Sequence, residues 1–224
     1  MKTEIHRLSL QWVNSYLIKE DGLVLVDAGL PNKGKKFLEE FRKLSVEPRN
    51  ISLILVTHGH WDHIGSLKEL KTATGGKVAV NQHETDWVGK GLKEMPPGIG
   101  LWGKMFGVMM RMYSSWAKLS GTPVDLVLED KELSLESYGI HGKALHTPGH
   151  STGSTSLLLD TGDAFVGDLA MNGLPLRFGA GLPRFADDIV AVKKSWRLLL
   201  DRGARWIYPG HGKPFKADAL ERLL

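Results

Sequence analysis

Cysteine is absent from this chain. That absence excludes disulfide staples, thiolate nucleophiles and every Cys-ligated zinc or iron–sulfur site, so any metal must be held by imidazole and carboxylate. It also suits a reducing compartment, and a cytoplasmic location is the expectation. No apolar run approaches the roughly 20 residues of a membrane span. The opening Met1-Lys2-Thr3-Glu4-Ile5-His6-Arg7 leads into no apolar stretch of the signal-peptide kind. Charge of one sign is lacking too: 29 Lys and Arg against 25 Asp and Glu leave a net +4. Lys33, Lys35 and Lys36 form the densest basic cluster, too small for a nucleic-acid footprint, so no nucleic-acid partner is expected. Short-period repeats and low-complexity linkers are also missing.

What is present suits one large domain spanning residues 1–224. A domain of that size buries roughly 70% or more of the surface its unfolded chain exposes, so it folds without disulfides. Short β-like runs alternate with helical ones. Residues 8–18 and 23–26 read as a hairpin around Lys19-Glu20-Asp21-Gly22, with Asp27-Ala28-Gly29 ending the second strand. Asn32 is placed to cap a helix reaching about Leu44, with Phe37, Leu38, Phe41 and Leu44 at helical spacing. Residues 51–56 form a continuous apolar run, as in a strand covered on both faces, and a helix over 64–72 follows shortly after. Further strands are expected over 124–128, 140–146, 154–159, 164–166 and 206–208, with helices over 187–201 and 217–223. Two facing sheets with helices outside both would accommodate that order.

The chemistry concentrates in His58-Gly59-His60-Trp61-Asp62-His63, immediately after the apolar strand. Imidazole and carboxylate suit Zn, Fe, Mn or Co. Three His and one Asp within six residues exceed what a single ion can use from so short a loop, and that crowding suggests two ions side by side. Two more turns carry a His beside Pro and Gly at strand ends: Thr147-Pro148-Gly149-His150 and Tyr208-Pro209-Gly210-His211. A His in such a turn is more often structural, and the recurrence at strand ends is what raises its weight. Gly167-Asp168 also ends a strand and could supply a shared carboxylate. His6, His83, His141 and His146 are read as ordinary polar or structural residues, although His83 follows a strand and could approach the cleft.

On these residues the chain resembles the metallo-β-lactamase-fold superfamily, in its glyoxalase II and lactonase-like branch. The signature His-x-His-x-Asp-His stands at His58 to His63, and the later ligands match His150, Asp168 and His211. The resemblance implies an α/β fold, a four-layer αβ/βα sandwich with the site at one edge. It implies that His58, His60 and His150 hold one metal, that Asp62, His63 and His211 hold the other, and that Asp168 bridges them. Asp27 resembles the carboxylate that orients a ligand His through its ring N–H, although it also reads as a plain turn residue before Gly29. Two divalent ions, zinc first and iron or manganese next, would then activate a bridging hydroxide, with Asp62 and Asp168 as the catalytic carboxylates. The expected reaction is hydrolysis of an ester, lactone or thioester of a fairly apolar small molecule.

Departures narrow the family. Flavodiiron reductases resemble the motif with Glu where His60 stands, and β-lactamases lack the bridging Asp. Glyoxalase-pathway thioester hydrolases share the ligands and add a helical C-terminal domain, whereas this chain ends soon after His211. Lactonases often place a Tyr just after the bridging Asp, where this chain has Leu169-Ala170-Met171. The alternatives are a mononuclear iron enzyme resembling persulfide dioxygenases and, with only the positive charge behind it, a phosphodiesterase. Five of the seven Met lie between Trp87 and Thr122: Met95, Met105, Met109, Met110 and Met112. Leu101, Met105, Val108, Met112, Trp116 and Leu119 recur at helical spacing. A helical lid over the active site is one reading of this insert, about residues 87–122; core packing or a homodimer interface is the other.

Overall fold

The computed structural model describes residues 2–91, 97–99, 119–173 and 179–224. Strands β1 (Glu4–Leu10), β2 (Val13–Lys19), β3 (Leu23–Val26), β4 (Ile51–Leu55), β5 (Lys77–Asn81) and β6 (Leu126–Leu128) form one sheet in that order. The second sheet takes β7 (Leu133–Ser134), β8 (Gly142–His146), β9 (Thr155–Leu159), β10 (Asp163–Gly167), β13 (Trp206–Pro209) and β14 (Phe215–Lys216). Its order is β14-β13-β10-β9-β8-β7. A small ribbon pairs β11 (Met171–Asn172) with β12 (Ala180–Gly181).

The apolar alternation along the strands explains the layering. Tyr16 and Ile18 of β2, Val24 and Val26 of β3, and Leu53 and Leu55 of β4 face the second sheet and pack there with Leu157, Leu159 and Phe165. The intervening Leu17, Leu25 and Ile54 turn to the other face, against Phe37, Phe41, Leu67 and Leu70. Those four belong to helices α1 (Gly34–Lys43) and α3 (Leu67–Thr74). On the far side, Leu158, Ala164 and Val166 pack on Val192, Trp196, Leu199 and Leu220. These come from α5 (Ile189–Asp201) and α6 (Asp218–Glu221). Both faces of each sheet are therefore apolar, and each outer face is closed by helices: the four-layer sandwich expected from the sequence.

Several boundaries differ from the sequence reading. Residues 8–18 are not one strand. A two-residue turn at Gln11-Trp12 splits them, with Leu10 paired to Val13 and Gln11 at φ 72°. No Gly, Pro or Asn marks that turn, so the usual hairpin signal is missing. Asn32 does not cap α1; it sits in a turn at φ 60°. The first turn of α1 is satisfied from α3 instead, by Ser66 Oγ on the Lys33 N–H at 2.7 Å and Glu69 Oε2 on the Gly34 N–H at 3.0 Å. The helix expected over 64–72 is broken into α2 (Trp61–Ile64) and α3, because Gly65 and Ser66 donate their N–H groups to Gly29 and Ala28. After the short α4 (Thr85–Lys90), most of the Met-rich insert lies outside the described residues. Among the described residues no helix is long and apolar enough to cross a membrane.

Helix α5 begins at Asp188, whose side chain accepts from Val190 N and Ala191 N. Its Trp196 is fully buried and donates Nε1–H to the Leu169 carbonyl at 3.0 Å. Trp196→Ala leaves a large cavity and strips that carbonyl of its donor. The expected loss is about 3–5 kcal/mol, read by urea unfolding of metal-free protein.

Candidate metal centre

Strands β3 and β4 run parallel, as do β10 and β13. Their C-terminal ends, with that of β8, bring five turns to one edge of the sandwich: Asp27 after β3, residues 57–63 after β4, 147–150 after β8, Asp168 after β10 and His211 after β13. Two cross-sheet backbone bonds lock this edge, Thr155 N to Thr57 O at 2.8 Å and Asn14 N to Gly210 O at 2.8 Å.

The side chains converge. His58, His60 and His150 form one group whose donor atoms lie within 4.8 Å of one another, and Asp62, His63 and His211 form another. These two groups share no residue. A third, His58, His63 and Asp168, takes one ring from each and lies between them. Asp168 Oδ2 is 3.8 Å from His150 Nε2 and 3.3 Å from His211 Nε2, so it spans the two groups. All seven positions picked out in the sequence therefore meet. Such close packing needs Gly210, where a Cβ would stand 2.6 Å from both Asp168 Oδ1 and His63 Cε1.

Four of the five rings are fixed from behind through Nδ1. His63 Nδ1 is 2.7 Å from Asp27 Oδ2, His150 Nδ1 is 2.7 Å from the Phe185 carbonyl, and His211 Nδ1 is 2.8 Å from the Trp12 carbonyl. Carbonyls and carboxylates only accept, so each ring carries a proton at Nδ1 and turns its Nε2 inward. His58 is held through a relay. Thr57 donates its hydroxyl proton to Asp27 Oδ2 at 2.8 Å, which leaves Oγ1 to accept from His58 Nδ1 at 3.0 Å. Asp27 Oδ1 also accepts from Thr57 N at 2.7 Å. This one carboxylate, held at φ 62° in a backbone region costing about 1–3 kcal/mol, thus orients two rings. His60 presents Nδ1 instead, 2.9 Å from His150 Nε2.

The donor set fits a metal. His58 Nε2 lies 3.2 Å from His150 Nε2, so lone pairs of buried rings point at one another. His63 Nε2 and Asp168 Oδ1 are buried, 3.2 Å apart and without a hydrogen bond. A cation among them would satisfy every one of these atoms. The electrostatics agree. Burial, then the neighbouring rings of His63, His150 and His60, push His58 well below its usual range and keep it neutral. Burial would raise Asp168, but the charges of His211 and His63 hold it well below the carboxylate range. Burial opposes charge on His211, yet Asp168 and Asp62 push it up to about 10. In the metal-free protein a second proton, at Nε2 of His211 and of His63, thus stands where a metal would bind.

The remaining four His lie apart from this cluster, each near a carboxylate: His6 by Glu4, His141 by Asp21, and both His83 and His146 by Asp130. His83 does not join the group. Sequence reasoning missed Thr57 and the carbonyls of Trp12 and Phe185, since a backbone acceptor leaves no trace in residue type. It also missed Asn14 and Tyr16, which brace the His211 turn: Asn14 Nδ2 donates to Pro209 O and Gly212 O at 3.0 and 2.7 Å, and Tyr16 Oη to Pro209 O at 2.7 Å. Leu169, Ala170 and Met171 are buried, and Leu169 and Ala170 pack in the outer core beneath α5.

Asp27→Ala should weaken zinc binding about 10- to 100-fold by freeing two rings, measured by chelator competition. Zinc uptake by chelator-stripped protein at neutral pH should release protons, read by calorimetry in buffers of different ionisation enthalpy. In stripped protein, the raised His211 value adds stability that is complete below about 6.5 and disappears as pH climbs through about 10. Thermal unfolding across that window would show the decline.

A model of the metallo-beta-lactamase superfamily matches residues 12–211. The probable metallo-hydrolase YqgX of Bacillus subtilis is 31% identical over 160 residues, covering 70% of this chain and 65% of that protein. The protein YobT of the same organism is 29% identical, with 94% of this chain and 87% of that protein covered. Hydroxyacylglutathione hydrolase GloC of Haemophilus influenzae is 23% identical over 77% of this chain and 74% of that protein. The crystal structure of the BLEG-1 B3 metallo-beta-lactamase superposes with a TM-score of 0.70 at 19% identity, over 96% of this chain and 95% of that one, a likeness of fold. The chain belongs to the metallo-beta-lactamase superfamily and has its fold.

Proposed function

We propose that this chain is a two-metal hydrolase of a carboxylic ester, thioester or lactone bond. One observation carries the reading: two groups of metal ligands share no residue and are spanned by Asp168. Relatives named metallo-hydrolase and hydroxyacylglutathione hydrolase support the hydrolase class. Bound there, divalent ions, zinc first, would supply a water-derived nucleophile at neutral pH and a Lewis acid for the scissile oxygen.

The chain's own residues do the rest. Without metal, adjoining His rings already hold the carboxyls of Asp62 and Asp168 below their ordinary range against the effect of burial, and bound cations would keep both ionised in their place. Two carboxylates would offset only part of the charge of two bound dications, leaving a net positive potential where negative charge grows on the substrate oxygen. Asp27 and Thr57 keep His58 and His63 in the binding tautomer. Val13, Leu30 and Trp61 form a buried apolar cluster beside the ligand segment, and Trp12 is exposed on the hairpin turn whose carbonyl holds His211. The exposed indole of Trp12 beside the His211 turn favours a substrate with a fairly apolar group.

Elemental analysis of the purified protein, followed by a panel of esters, thioesters and lactones, tests the proposal. The expected result is two ions per chain and cleavage of at least one class. His150→Ala and Asp168→Asn should each lower kcat/KM by several orders of magnitude. One iron per chain with sulfur-dependent oxygen uptake would replace the hydrolase by an oxygenase. Cleavage of phosphodiesters alone would move the reaction to that bond.

A further inference from the structure

Glu84 is buried to 1% exposure at the end of a 3-10 turn over Gln82–Glu84, directly after β5. Its side chain reaches two separate ligand turns. Oε2 accepts from the Gly59 N–H at 2.9 Å, between His58 and His60. Oε1 accepts from Ser151 Oγ at 2.8 Å and from the Gly153 N–H at 3.1 Å, just past His150. The fit is close: a Cβ at Gly153 would meet Glu84 Cγ at 2.5 Å and its Oε1 at 3.0 Å. Gly59 and Ser151 flank all three members of one ligand group, and neither flanks a member of the other except through the shared loop.

We infer that Glu84 is a positioning residue that clamps the His58–His60 turn to the His150 turn and so sets the spacing of the three-His metal group. The inference rests on the two-metal reading above and deepens it, by assigning the two groups separate supports: Glu84 for one, and the braced His211 turn for the other. A carboxylate suits the task because both oxygens only accept. Glutamine in its place would turn its NH2 toward the N–H of either Gly59 or Gly153, leaving a buried donor facing a donor. Strong N–H···O⁻ bonds from both turns make the clamp stiff.

The test separates the groups. In a His211→Ala background, which cripples the Asp62, His63 and His211 group, adding Glu84→Gln should weaken zinc binding about 10- to 100-fold by chelator competition. In a His150→Ala background, which cripples the three-His group, the same change should leave zinc affinity unmoved. A residue that merely stabilises the fold would lower both affinities alike or neither. Equal losses in the two backgrounds, or no loss in the first, overturn the clamp while the two-metal reading stands. If Glu84→Gln does not fold, Ser151→Ala decides: it removes one clamp bond and should give a smaller loss confined to the first background. A wild-type protein that binds no zinc overturns the two-metal reading and the clamp together.

Discussion

The centre depends on keeping bare lone pairs of buried rings turned toward one another. Left to itself, an imidazole in a protein interior would rotate to find a donor, or take up a proton and a counter-charge. Here the framework denies the rotation. Asp27, Thr57 and the carbonyls of Phe185 and Trp12 each hold the outward nitrogen of a ring, and Asp27 does so from a left-handed backbone position. The sandwich makes this possible, since its parallel strand pairs deliver ligand turns to one edge and cross-sheet backbone bonds keep those turns from spreading.

The outer layers take part in the same task. Helix α5 does more than cover a sheet: Trp196 donates to the carbonyl next to Asp168, and Ser195 Oγ donates to the Pro148 carbonyl at 2.7 Å, two residues before His150. Stability and the geometry of the candidate centre are therefore coupled through individual hydrogen bonds, and a core substitution far from that centre can loosen them. This is how a rigid scaffold holds turns that would otherwise wander.

Much of this was legible in the residues. A run that is apolar at all positions but Ser52, such as 51–56, announces a sheet covered on both sides, and a dense run of His and Asp after such a strand announces a metal. The three remaining candidate ligands stood out because Pro-Gly-His closes two strands and Gly167-Asp168 a third. What stayed hidden has physical causes. The Gln11-Trp12 turn carries no residue that favours positive φ, so it passed for strand. The α1 cap is supplied by α3, a tertiary contact that no local pattern encodes. In Asn81-Gln82-His83-Glu84 the imidazole drew notice, yet His83 turns to Asp130 while its neighbour reaches the ligand turns. Backbone acceptors are invisible in a sequence because every residue has one.

That last point bears on how such a site can change. His211 is steadied by the main-chain oxygen of residue 12, whose indole stands exposed on the hairpin tip. The grip on the ring passes through the main chain, so it does not depend on the chemistry of the side chain at that position. One residue thus serves two masters through different atoms, and evolution can redraw the rim of the cleft while the catalytic geometry stays as it was.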